Sequence, residues 1–266
     1  MADVVVAGAA GRMGTRIVAC LADERDLRLV AALESPGHAT LGRDAGEVAG
    51  IAHTGVAIAA EPPAAIAKDR ILIEFSVPEA TLSHLRRVAA VGGRAVIGTT
   101  GFTAEQKAEI ETLARRSAIM LSPNMAVGVN VAFQVLAIMA KALGDAYDVE
   151  IFEVHHRYKQ DAPSGTALRM AEVVAGALGR DLGKVGVFGR HGQVGARTRD
   201  EIGVMSLRTG DVVGDHTVSF GTLGERLELT HKAQSRDTYA RGALRAARWV
   251  SERPPGLYSM QDVLGL

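Results

Sequence analysis

Val4-Val-Val-Ala7 is an unbroken apolar run that passes directly into Gly8-Ala-Ala-Gly-Arg-Met-Gly14. A short strand with no polar residue is buried on both faces, and such strands belong to parallel sheets covered by helices. The glycines form a G-x-x-G-x-x-G variant of the dinucleotide fingerprint, set between a strand and a helix as that motif requires. They permit a tight turn and let backbone amides at the helix start approach a pyrophosphate. Glycine patterns are common; this one gains its weight from its position. The second apolar run, Leu27 to Leu33, ends at Glu34. A carboxylate at the end of the second strand is placed to hold ribose hydroxyls. Taken alone, Glu34 reads better as an exposed loop residue.

Buried strands and helices continue to alternate through residue 121. Ile71–Phe75, Arg94–Ile97 and Ala118–Leu121 read as strands, with helices over 79–91 and 103–116 between them. Pro78 suits the start of the first of those helices. Gly98-Thr-Thr-Gly101 follows a strand end, where small and hydroxylated residues can border a nicotinamide, although they also make an ordinary turn. This alternation specifies an α/β fold with a Rossmann-like, doubly wound parallel sheet. After a helix over 126–143 the pattern changes. Strands are expected at 147–156, 185–188, 201–208, 216–220 and 226–232, with one good helix, 166–178, among them. That set describes an α+β domain with an open mixed sheet, one face covered and the other apolar enough to need a second copy. A last helix, 237–251, and an apolar tail, 256–266, follow.

The densest chemistry lies in Glu153-Val-His-His-Arg-Tyr-Lys-Gln-Asp-Ala-Pro-Ser-Gly-Thr-Ala167. His155, His156, Arg157 and Lys159 crowd cations and proton donors into a few positions. Ser164 is placed as the N-cap of a helix whose first turn holds Gly165 and Thr166. A helix start attracts anions through its unpaired N–H groups and its dipole. A solvated basic loop before a capped helix is the bland alternative, and the adjoining Pro-Ser-Gly-Thr favours a carboxylate- or phosphate-binding site.

Composition narrows the field. Net charge is zero and the pI is near 7, so no nucleic-acid surface is expected. Cys20 is the one cysteine; an intrachain disulfide is excluded and a cytoplasmic location is expected, with the thiol in the core. The N-terminus lacks a signal-peptide pattern. The longest apolar stretch, 126–140, contains Asn130 and Gln134 and reads as a buried amphipathic helix, so no membrane association is expected.

Five segments together, Gly8–Gly14, Phe75-Ser-Val-Pro-Glu-Ala80, Gly98-Thr-Thr-Gly-Phe102, His155–Ala167 and Gly214-Asp-His-Thr-Val218, resemble the 4-hydroxy-tetrahydrodipicolinate (dihydrodipicolinate) reductase family. The resemblance runs in order along essentially the whole chain; the 155–167 segment is its most specific part. It implies NAD(P)H-dependent reduction of a cyclic dicarboxylate in diaminopimelate and lysine biosynthesis, by a homotetramer. It implies a dinucleotide-binding domain from residues 1–126 and 237–266, and a substrate-binding and tetramerisation domain from 127–236. His155 would be the proton donor and acceptor and Lys159 a second proton donor. His156, Gly165 and Thr166 would bind substrate carboxylates. Gly8, Ala9, Ala10, Gly11, Arg12, Met13, Glu34, Gly98, Thr99, Thr100, Ser122, Pro123, Asn124 and Met125 would contact the cofactor; no metal is expected. Tyr158 stands where the family often has a third histidine. Ser35 stands where several relatives carry an arginine for the NADP 2′-phosphate, so NADH is expected to serve at least as well as NADPH. A histidine near its ordinary pKa of about 6.5 suits the acid role. Two other readings share the glycine turn: a different amino- or keto-acid dehydrogenase, and a non-catalytic dinucleotide sensor.

Overall fold

The computed structural model describes residues 1–60 and 64–266. Its first strand, β1 (Ala2–Ala7), leads through the glycine turn into α1 (Gly14–Leu21), then β2 (Leu27–Leu33), α2 (Ala45–Ala49) and β3 (Ile58–Ala59). Next come β4 (Arg70–Glu74), α3 (Pro78–Val91), β5 (Arg94–Ile97), α4 (Ala104–Ala114) and β6 (Ala118–Leu121). Pro78 occupies the start of α3, where its missing N–H costs nothing. Thr103 caps α4 in a reciprocal box with Gln106. The strand pairs are parallel. The strand order β6-β5-β4-β1-β2-β3 reverses direction between β1 and β4, the switch point at which doubly wound sheets open a crevice.

Period-two alternation sends β1 into two cores at once. Val4 and Val6 join a layer with Ile17, Val18 and Leu21 of α1, while Val5 and Ala7 join one with Leu82, Leu85 and Val88 of α3 and Ile110 of α4. Val4, Val5, Val6 and Ala7 are essentially without solvent exposure, which is why this part of β1 carries no polar side chain, whereas Asp3 ahead of it is half-buried.

The chain then forms α5 (Val127–Leu143), β7 (Asp148–His155), α6 (Gly165–Ala177), α7 (Leu182–Val185), β8 (Gly186–Val187), β9 (Ile202–Arg208), β10 (Gly214–Thr222) and β11 (Glu225–Ala233). Residues 128–235 make a second compact unit. Its mixed sheet has the order β11-β10-β7-β9-β8, with β7 antiparallel to β10 and parallel to β9. α6 packs across β7, β9 and β10. Val149 and Ile151 of β7, Ile202 and Val204 of β9, and Val218 and Phe220 of β10 are buried. The alternate residues of β7 and β9 expose Phe152 (38%) and Leu207 (50%). By length and composition the stretch Val127–Ala146, with mean hydropathy 1.6, could cross a membrane. Its buried residues, Val129, Ala132, Phe133, Leu136 and Ala140, instead trace one helical stripe, and Asn130 is buried beside them.

The last segment returns to the first unit, which comprises residues 1–127 and 236–266. α8 (Asp237–Val250) places Ala240, Ala243, Leu244 and Ala247 in the same layer as α1. The tail docks as β12 (Gly256–Tyr258), parallel to β6 at the sheet edge, followed by α9 (Met260–Leu264).

Candidate active site

In the first unit, the glycine turn is built by close backbone approach. A Cβ on Gly8 would lie 2.5 Å from the Phe75 carbonyl oxygen, and one on Gly14 would lie 2.1 Å from the Gly8 oxygen. Gly8 also has φ +71, a conformation that glycine adopts without strain. Met13, the N-cap of α1, makes no side-chain capping hydrogen bond, and Thr15 N donates back to Gly11 O at 3.1 Å. Glu34 is fixed by two backbone donors, Ala10 N to Oε2 at 3.2 Å and Ser35 N to Oε1 at 2.9 Å. Gly8, Gly11, Glu34, Ser35, Phe75 and Ser76 line one cleft of about 610 Å³. An uncapped helix start, a turn that admits no side chain and an oriented carboxylate fit the pyrophosphate and ribose of a dinucleotide. Ala9 is buried against β2 and Arg12 is exposed.

The other expected cofactor residues follow β5 and β6 at the same strand ends but do not line that cleft. Gly98 makes room for the Phe75 ring, which a Cβ would meet at 2.1 Å. Thr99 is buried, its hydroxyl 2.9 Å from that of Thr81, and Thr100 is exposed. Ser122 Oγ donates to Asn124 O at 2.8 Å, and Asn124 Oδ1 accepts from Ala126 N at 2.9 Å. Pro123 is exposed, whereas Met125 is buried, its carbonyl so close to α8 that Gly242 could carry no Cβ. One cluster went unread in the sequence. Glu74, fully buried at the end of β4, accepts from Ser76 Oγ at 2.5 Å and pairs with His84 Nδ1 at 2.5 Å. An acidic residue closing Ile71-Leu-Ile was its available signal, because a buried carboxylate demands partners.

In the second unit, β7 ends at His155 and α6 begins beyond a turn that includes a cis Ala162–Pro163 bond. Ser164 caps the helix, its Oγ accepting from Ala167 N at 3.2 Å and contacting His216 Nε2 at 2.9 Å. Gly165 is exposed and Thr166 half-buried in the first turn. His155 Nδ1 lies 2.5 Å from Glu153 Oε2, and Arg208 grips Glu153 through both terminal nitrogens at 2.9 Å. Burial alone would raise the Glu153 carboxyl; hydrogen bonds from Arg208, His155 and Ser206 overcome it and hold the group at about 2. Burial pushes His155 below its ordinary value, with Glu153 opposing. The sequence expectation of an unshifted histidine is therefore corrected: the ring sits in a protein interior that disfavours its charge. His216, with its ring centroid 5.1 Å from that of His155, is pushed down to about 3 by burial and by His155.

Lys159 Nζ is held by Asp161 at 2.7 and 2.8 Å. The backbone of His156 is anchored by its N–H to Val212 O at 2.7 Å. Its Nδ1 is buried without a hydrogen-bond partner among the described residues, a donor or acceptor still to be satisfied. Tyr158 points outward, 79% exposed. Within this one unit the structure thus gathers His155, His156, Lys159, Gly165 and Thr166 around the β7–α6 turn. Glu153, Arg208, Ser164 and His216 are the residues that support them; of these, only Ser164 carried a structural role in the sequence reading.

A doubly wound sheet with a glycine turn and an oriented carboxylate after its second strand, joined in one chain to a histidine- and lysine-bearing α+β unit, defines a nicotinamide-dinucleotide-dependent oxidoreductase. Residues 2–125 match the family described as dihydrodipicolinate reductase, N-terminus, and residues 128–264 match dihydrodipicolinate reductase, C-terminus. The chain is 52% identical over 266 residues to the 4-hydroxy-tetrahydrodipicolinate reductase of Citrifermentans bemidjiense, covering 100% of both chains. It is 54% identical over 264 residues to that of Nitrosomonas europaea, covering 99% of this chain and 98% of the relative. In fold it is similar to a dipicolinate-bound dihydrodipicolinate reductase from Paenisporosarcina sp. TG-14, with a TM-score of 0.73, 24% identity and 98% of each chain covered. The chain belongs to the dihydrodipicolinate reductase family and reduces 4-hydroxy-tetrahydrodipicolinate in lysine biosynthesis. Its cofactor class is NAD(P)H. The general dehydrogenase and the non-catalytic sensor are set aside by these full-length matches.

Proposed function

We propose that residues 1–126 and 237–266 hold the dinucleotide, and that residues 127–236 bind the cyclic dicarboxylate and carry the tetramer contacts. The observation that supports this most directly is the continuity of the β7–α6 turn: a histidine anchored by a buried carboxylate and a capped helix start adjoin each other. The bound cofactor supplies a hydride to the conjugated cyclic imine. His155 gives the resulting anionic ring its proton from Nε2, because Nδ1 is engaged by Glu153. A neighbouring dicarboxylate stabilises the imidazolium and offsets the burial that lowers its pKa. Lys159 exchanges Asp161 for a substrate oxygen and stabilises the developing charge or donates a second proton. His156 and the first turn of α6 at Gly165 and Thr166 hold the carboxylates. Zero net charge and a single cysteine support a cytoplasmic enzyme.

The cofactor preference turns on Glu34 and Ser35. With both Glu34 oxygens oriented by backbone N–H groups, the carboxylate retains lone pairs for two ribose hydroxyls. A 2′-phosphate would meet the same carboxylate as a like charge, and Ser35 brings no cation. Arg12 and Arg43, both exposed, are the available partial compensation. The net disadvantage is about 1–2 kcal/mol, roughly tenfold in KM. Oxidation of NADH and NADPH with freshly generated substrate tests both the activity and the preference. NADH is expected to be used at least as well, and Ser35→Arg to move the ratio toward NADPH; a tenfold preference of the unmodified enzyme for NADPH would refute this.

The apolar face carrying Phe152 and Leu207 supports assembly through the mixed sheet. Four chains are expected by sedimentation at micromolar concentration. A clean monomer would eliminate this sheet as an interface.

A further inference from the structure

Glu153 has 0% exposure, yet its two oxygens accept from His155 Nδ1 at 2.5 Å, Arg208 Nη1 and Nη2 at 2.9 Å, and Ser164 N at 3.1 Å. Those donors come from β7, β9 and the N-cap of α6. A carboxylate held ionised by an arginine fork only accepts, so the hydrogen between Glu153 and His155 resides on Nδ1. Nε2 is then the atom that gains and loses the second proton. Gly214 keeps that side of the ring open: a Cβ there would lie 2.9 Å from Nε2.

We propose that Glu153, clamped by Arg208, is a positioning residue that fixes His155 in its Nδ1–H form and ties the proton donor to the start of α6. The proposal rests on His155 being the acid. Four titratable or charged groups face this imidazole: Glu153 on its own strand, Arg208 on β9, His216 on β10 and Lys159 in the following loop. Glu153 alone among them favours the imidazolium; Arg208 and Lys159 oppose it as cations, and His216 is buried and neutral. A helix start bonded to the same carboxylate keeps the carboxylate anchor and the proton donor in register, where misplacement by about 1 Å costs rate.

The test uses the full-length enzyme with ¹⁵N-labelled histidine. In the unmodified protein, neutral His155 should report hydrogen on Nδ1. Glu153→Gln should transfer a substantial fraction to Nε2 and lower kcat by at least about tenfold. It should also move the limb of kcat/KM that falls with rising pH to lower pH by about one unit. Its NADH affinity, measured by fluorescence titration, should stay within about twofold, since the dinucleotide contacts lie elsewhere. Arg208→Gln removes the fork that holds Glu153 ionised and in place but leaves the carboxyl group, so it should transfer part of the hydrogen to Nε2 and lower kcat, each less than Glu153→Gln does; this arm remains decisive should Glu153→Gln fold poorly. An unchanged tautomer and an unmoved limb in a folded Glu153→Gln, or an unchanged tautomer and kcat in Arg208→Gln, would overturn the proposal. Full activity in His155→Ala would instead remove His155 as the acid, while the tautomer result would still report on Glu153.

Discussion

His155→Ala and Lys159→Ala are each expected to lower kcat by roughly 10²–10⁴-fold, the range for loss of a positioned acid. His155 is the stronger case structurally, because its Nδ1 is committed to Glu153 and its ring is nearly buried, at 8% exposure. An alanine there leaves Glu153 and Arg208 paired with each other, so the fold should survive. The Lys159 ammonium pairs with Asp161. Its removal should raise KM as well as lower kcat if the ammonium also holds a substrate carboxylate. NADH affinity, read by fluorescence titration, should be unaffected in both variants. Turnover like that of the unmodified enzyme in both would take these residues out of the mechanism.

The second large effect is expected at Gly14, where loss is steric from the start. An added Cβ would stand 2.1 Å from Gly8 O and 2.6 Å from Ala9 Cα, both backbone atoms that no side-chain rotation can move. Gly14→Ala must therefore displace the turn or the first residue of α1. A displaced turn takes with it the amides on which the pyrophosphate is expected to rest, and NADH Kd should rise by about 100-fold, or ~2.7 kcal/mol. Overpacking should cost about 1–3 kcal/mol of stability in addition. Gly37→Ala is the comparison: it has φ +82 but nothing within 4 Å of the added atom, so backbone strain acts there without a clash. Calorimetric binding decides the matter, and Gly14→Ala with unaltered NADH affinity would contradict the proposed role of this turn.

The sequence carried the first unit well because its strands obey a severe rule. β5 and β6 coincide with the expected 94–97 and 118–121: each is a short apolar run stopped by glycine or by serine and proline. β3 escaped notice since two residues, Ile58–Ala59, have no period to read. β12 escaped because its identity comes from pairing with β6, not from its own composition. At the site, Ser164 was legible from local capping chemistry, and the cluster of His155, His156 and Lys159 was visible as a pattern. Arg208 was not, because the register that brings it to Glu153 is a property of the β7–β9 pair. Nor does a string of residues disclose burial, which is what moves His155 off its ordinary pKa and drives His216 to about 3. The clamp of Asp161 on Lys159 lay two positions away and was readable in principle.

The return of residues 236–266 to the first unit sets an order of events during synthesis. Until α8 emerges from the ribosome, Val4, Val6, Ile73 and Val96 lack the layer formed by Ala240, Ala243, Leu244 and Ala247, and β6 is an open edge awaiting β12. The second unit, residues 128–235, is translated in full before that layer exists. A nascent chain thus carries an unfinished parallel sheet through the making of more than a hundred residues, at translation rates of about 5–20 residues per second. Premature termination anywhere ahead of α8 would leave an apolar sheet face exposed, a species suited to chaperone capture or proteolysis.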